Sequence, residues 1–154
     1  MSKTLIIAYG NPLRGDDGLA WRAAKQLERM FVDVEIIKLH QLAPELAEVI
    51  SRYERVIFVD AAETCAGRPV GDVQVEEITA TGAGHFSHHI SPACLVALAE
   101  RLFARHPQAF SVTVATDSFG PGEEISDAVE ASLPELIDRI TALVGVARVE
   151  SAAK

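Results

Sequence analysis

Cysteine is scarce in this chain: Cys65 and Cys94 are the only two, and they form no CxxC pair. That excludes a disulfide framework and a thiolate metal site, and it fits a reduced, cytoplasmic protein with two small packed thiols. Basic residues are outnumbered, with 14 Lys and Arg against 22 Asp and Glu and a formal net charge of −8. Without a basic stripe to neutralise phosphates, nucleic acid is excluded as a partner, and anionic membrane surfaces are disfavoured for the same reason. No long apolar run occurs. The opening MSKTLIIAYGN has only about six apolar residues before Gly10 and Asn11, too few for a signal peptide or a membrane span. Absent too are the motifs G-x-x-x-x-G-K-[ST], G-x-G-x-x-G, H-E-x-x-H and G-x-S-x-G, so nucleotide, zinc-protease and serine-hydrolase chemistry have no motif behind them.

What the sequence does have is alternation. The 154 residues suit one domain, and no repeat or linker divides them. TLIIAY (4–9) reads as a buried strand and 18–31 as a helix carrying Ala20, Ala24, Leu27 and Phe31 at helical spacing. DVEIIKL (33–39) is a second strand, and Pro44 opens a helix through about Tyr53. RVIFVD (55–60) reads as the third strand, continuously apolar from Val56 to Val59, as parallel strands covered on both faces tend to be. DVQVEEI (72–78) alternates like an edge or antiparallel strand. Ser91 and Pro92 then start a helix as N-cap and first residue, and FSVTVAT (110–116) is a further strand. A helix over about 126–144 ends the pattern; Pro134 either kinks it or marks a restart capped by Ser132 with Glu135. Such β-α alternation predicts a doubly wound, mostly parallel α/β sheet with helices on both faces, flavodoxin-like in order.

In that architecture ligands bind where strand order reverses, beyond the carboxyl ends of the first and third strands. The first strand exits into GNPLRGDDG, with Asp16 and Asp17 adjacent; the third exits at Asp60. The segment HFSHH brings His85, His88 and His89 toward the same rim. Two carboxylates and an imidazole suit a divalent transition metal such as zinc, iron or nickel, with a coordination position left open. Each residue also has a plainer use: Asp17 as a helix N-cap, Asp60 as an ion-pair partner for Arg14 or Arg68, the histidines as surface hydrogen-bonding groups.

The segments GNPLRGDDGLA, VDAA, SHHISP and DSFGPGEEIS, in this order and at these intervals, resemble the hydrogenase maturation endopeptidases. The resemblance spans essentially the whole chain. It implies a protease that removes the C-terminal extension from the large-subunit precursor of a nickel–iron hydrogenase, recognising nickel already inserted in that precursor. By the same resemblance Asp17, Asp60 and His89 contact the metal, with His88 the competing histidine. Asp16 and His88 would orient those ligands, and Gly10, Asn11 and Gly15 would let the loop backbone come close to the metal. Two positions depart from the family pattern. His40 and Gln41, in LHQLAPEL, stand where some members carry an acidic residue, and Ala93 occupies the offset after Ser-Pro where others carry the ligand histidine. A non-catalytic metal-dependent chaperone for the same precursor is the alternative function, and a monomer is the expected state.

Overall fold

The computed structural model describes residues 3–64, 67–79, 90–117, 120–122 and 124–152, with side chains through 144. Five strands form one sheet in the order β2-β1-β3-β5-β4. These are β1 (Thr4–Tyr9), β2 (Glu35–Leu39), β3 (Arg55–Glu63), β4 (Val73–Ile78) and β5 (Gln108–Thr116). All neighbours are parallel except β4, which runs antiparallel along β5 at the edge. Helices α1 (Leu19–Met30) and α4 (Asp127–Ala152) cover one face, while α2 (Leu46–Ile50) and α3 (Pro92–Phe103) cover the other.

The two-residue side-chain period divides each strand between these layers. On β3, Ile57, Val59 and Ala61 belong to the core under α1 and α4, and Val56 and Phe58 to the core under α2 and α3. Leu5 and Ile7 of β1 share that second face, and Tyr9 packs against it. Burying each such aliphatic or aromatic side chain contributes about 1.5–3 kcal/mol before the entropy of ordering it, which is why the central strands read as unbroken apolar runs.

Three elements differ from the sequence reading in ways that bear on the site or the packing. β3 does not stop at Asp60 but continues beside β5 to Glu63, while β1 leaves it after the Ala8–Val59 pair. Asp60 therefore lies mid-strand, at the point where its neighbour peels away. α2 is short: residues 43–46 enter it through i+3 hydrogen bonds, and Arg52 and Tyr53 leave it the same way. α4 runs through Pro134 without a restart. The Ser132 hydroxyl donates back to the Val129 carbonyl at 2.6 Å instead of capping a new helix. No helix among the described residues is long and apolar enough to cross a membrane.

Candidate active-site cleft

The strand order reverses at β1: its connection through α1 leads to β2 on one side, and the next, through α2, returns to β3 on the other. A cleft of about 810 Å³ opens there, walled by the end of β1 and the loop after it, by the residues following β2, by Asp60 within β3 and by the start of α3. Asp17 and Asp60 both line it, as do Tyr9, Gly10, Asn11, Arg14, His40 and Ile90.

Asp17 sits in a 3-10 turn, Gly15–Gly18, that runs directly into α1. It does not cap the helix: α1 has no side-chain cap, and Asp17 Oδ2 instead accepts from the Asn11 backbone N–H at 2.7 Å. Gly10 makes this possible. Its φ is +142°, and a Cβ there would fall 2.1 Å from the Asp17 carbonyl oxygen, so only glycine lets the two ends of the loop meet. Asn11 Oδ1 accepts from Leu13 N–H at 2.9 Å, closing an Asx turn. Gly15 (φ +56°) and Leu13 tie the outer side of the loop to Gly122, through Gly15 N–H to the Gly122 carbonyl (2.8 Å) and Gly122 N–H to the Leu13 carbonyl (2.9 Å). Gly10, Asn11 and Gly15 thus hold Asp17 in position.

Asp16 faces the opposite way. It is fully buried and accepts from Ser126 N–H (2.7 Å), Ser126 Oγ (2.8 Å) and Thr116 Oγ1. It thereby joins the loop to the end of β5 and the start of α4, outside the cleft.

Asp60 shares a sheet face with Tyr9, whose hydroxyl donates to its carboxylate. No described basic residue forms an ion pair with it, and Arg68 is engaged by Asp72 at 3.0 Å. Burial, reinforced by the negative charge of Asp17, pushes Asp60 from 3.8 up to about 8, against the Ala61 N–H and the Tyr9 hydroxyl, which favour the anion. Burial first, then the charge of Asp60, drives the Tyr9 phenol far above its ordinary value. Without a cation this pocket therefore keeps a proton on Asp60 at neutral pH. Replacing that proton with a metal ion would relieve the repulsion, and the oxygen donors fit a divalent cation.

His88 and His89 lie outside the described residues, as do His85 and Cys65; the described chain resumes at Ile90, on the cleft wall. Among the described residues no cluster of three or more His, Cys, Asp or Glu forms a metal site. His40 and Gln41 follow β2 at the cleft, exposed. The His40 ring leans on Trp21 with 5.3 Å between centroids, and the Trp21 indole N–H donates to the Leu39 carbonyl at 2.8 Å. Tyr9 was missed from sequence. The signal was there: two residues beyond the inward-facing Ile7, it shares a face with Asp60.

No protein-family model matches the chain, and no curated protein matches it either. Solved structures do. The hydrogenase-maturating endopeptidase HybD from E. coli superposes with a TM-score of 0.75 at 22% identity, over 94% of this chain and 93% of that one. The nickel–iron hydrogenase maturation protease HybD from Thermococcus kodakarensis gives 0.73 at 21%, over 92% and 98%. The hydrogenase 2 maturation peptidase from a Thaumarchaeota archaeon gives 0.70 at 24%, over 94% and 99%. This chain has the fold of the hydrogenase maturation proteases. The likeness covers nearly all of each chain.

Proposed function

We propose that this protein is an endopeptidase that removes the C-terminal extension from the nickel-loaded large-subunit precursor of a nickel–iron hydrogenase, in the cytoplasm. The observation that carries the reading is the pair of half-buried carboxylates, Asp17 and Asp60, lining one cleft with no ion pair to either among the described residues. Shared fold with maturation proteases supports it. Nickel here belongs to the substrate. Asp17, Asp60 and His89 are the residues that would contact it, with His88 as the competing histidine, and it would supply the positive charge that polarises the scissile carbonyl.

The chain's own residues then have the following tasks. The Asn11 N–H and the Gly10 turn hold the Asp17 carboxylate at the wall, and Tyr9 holds Asp60. Ser91, a hydroxyl on the cleft wall, is occupied as the α3 N-cap, accepting from Cys94 N–H at 3.1 Å, so it is a poor nucleophile. Water is the better one. A cleft carboxylate accepts a proton as water adds to the carbonyl carbon, and a proton returns to the nitrogen when the C–N bond breaks.

The test is to incubate the protein with precursor, nickel-loaded or nickel-free, and follow the precursor's C-terminus by mass spectrometry. Loss of the extension from the loaded form alone is expected. Loaded precursor that binds but stays intact would favour the second reading, a chaperone that holds the metal-bearing subunit without cutting it.

A further inference from the structure

Of the described residues lining the cleft, Arg14 is the only lysine or arginine. Five other arginines are engaged, Arg22 by Glu130, Arg52 by Glu48, Arg68 by Asp72, Arg139 by Glu135 and Arg55 by Gln108 and the Leu143 carbonyl, while Arg29, Arg101 and Arg105, which like Arg14 form no ion pair among the described residues, do not line the cleft. Arg14 forms no ion pair among the described residues, although Asp17 and Asp60 line the same cleft. Its side chain is exposed, whereas the two carboxylates are half-buried, so the cleft is negative inside and carries one positive charge nearer solvent.

The backbone under that guanidinium is fixed. Arg14 N–H donates to the Asn11 carbonyl and its own carbonyl accepts from Asp17 N–H, both at 3.0 Å. Leu13 and Gly15 on either side are bonded to Gly122. A fixed stem and an uncommitted planar donor array make a preorganised site for a carboxylate, which guanidinium binds through two parallel N–H···O bonds. An acidic peptide would otherwise be disfavoured by a chain of net charge −8.

Building on the proposed endopeptidase reading, we infer that Arg14 is a specificity-determining residue that binds a carboxylate of the precursor's C-terminal extension as the extension lies in the cleft. That carboxylate is either an acidic side chain or the chain terminus.

Processing of nickel-loaded precursor by wild type, Arg14→Lys, Arg14→Ala and Arg14→Glu tests this. Losing a charge-assisted pair predicts KM raised about 10- to 100-fold in Arg14→Ala and further in Arg14→Glu, with kcat changed less than about 3-fold. Arg14→Lys recovers part of the loss, and added salt shrinks the wild-type advantage. Neutralising the extension's Asp and Glu residues one at a time identifies a side-chain partner: the correct change raises KM for wild type and not for Arg14→Ala. If none does, a synthetic extension peptide bound less tightly when its C-terminus is amidated, in wild type only, identifies the terminus. An unchanged KM in Arg14→Ala, a loss confined to kcat, or no carboxylate coupled to Arg14 overturns the inference while leaving the endopeptidase standing. If wild type cleaves nothing but binds the peptide through Arg14, the endopeptidase reading falls and this one holds; binding indifferent to Arg14, or none, overturns both.

Discussion

Asp16 and Asp17 are chain neighbours in opposite environments. Asp16 is buried completely and meets donors from Ser126 and Thr116, so its charge is matched by hydrogen bonds. Asp17 has one backbone donor and faces a cleft that it shares with a second carboxylate. The difference shows how one loop separates two jobs. The inner acid fixes the loop to the scaffold, and the outer acid is left with acceptor capacity that no other described residue uses. Buried charge with donors stabilises; half-buried charge beside a like charge does not, and it is tolerated where a ligand completes it.

The comparison is most easily broken through stability. Asp16→Ala should lower unfolding stability by about 3 kcal/mol, because it strands buried or half-buried donors of Ser126, and urea melts would show it. A loss under about 1 kcal/mol would mean that Asp16 is not the anchor. Gly10→Ala should cost about 2 kcal/mol through its positive φ and the clash with the Asp17 backbone, and it should lower processing more than its stability loss explains. A variant as active and stable as wild type would show that the Gly10–Asp17 contact positions nothing.

The smallest effect is a pH dependence at Asp60. Its folded pKa is raised to about 8 from 3.8, so between those values the folded protein holds a proton that the unfolded chain has released. Stability from this group must therefore fall as pH rises across that window. Asp60→Asn, which mimics the protonated form, should melt a few degrees above metal-free wild type near pH 8 and match it near pH 4. Parallel melting curves for the two proteins across the range would remove the electrostatic half of the contrast.

Much of this arrangement was legible in the sequence. The alternation of apolar runs set the doubly wound sheet, and the switch-point rule directed attention to the loop after β1 and to Asp60. Ser91 and Pro92 announced α3, which begins at Pro92 with the Ser91 hydroxyl accepting from Cys94 N–H. What stayed hidden depended on distant partners. The Asp16 acceptors' donors lie 100 and 110 residues away, so nothing local separates Asp16 from Asp17. β3 extends to Glu63 because β5 continues beside it, whereas Ala61-Ala62 has no strand propensity of its own. Pro134 within α4 is likewise a case of packing overriding a local breaker, with Leu133, Leu136 and Ile137 held in the core around it.

The most direct measurement sets the two neighbours against each other on nickel-loaded precursor, at a temperature where every variant is folded. The mass of the precursor's C-terminus would be followed with wild type, Asp16→Asn and Asp17→Asn. Removing a carboxylate that meets the substrate cation should slow processing about 1,000-fold in Asp17→Asn, while Asp16→Asn stays within about 10-fold of wild type. Processing by Asp17→Asn at the wild-type rate, or an equal loss in folded Asp16→Asn, would contradict the division of labour between the two acids.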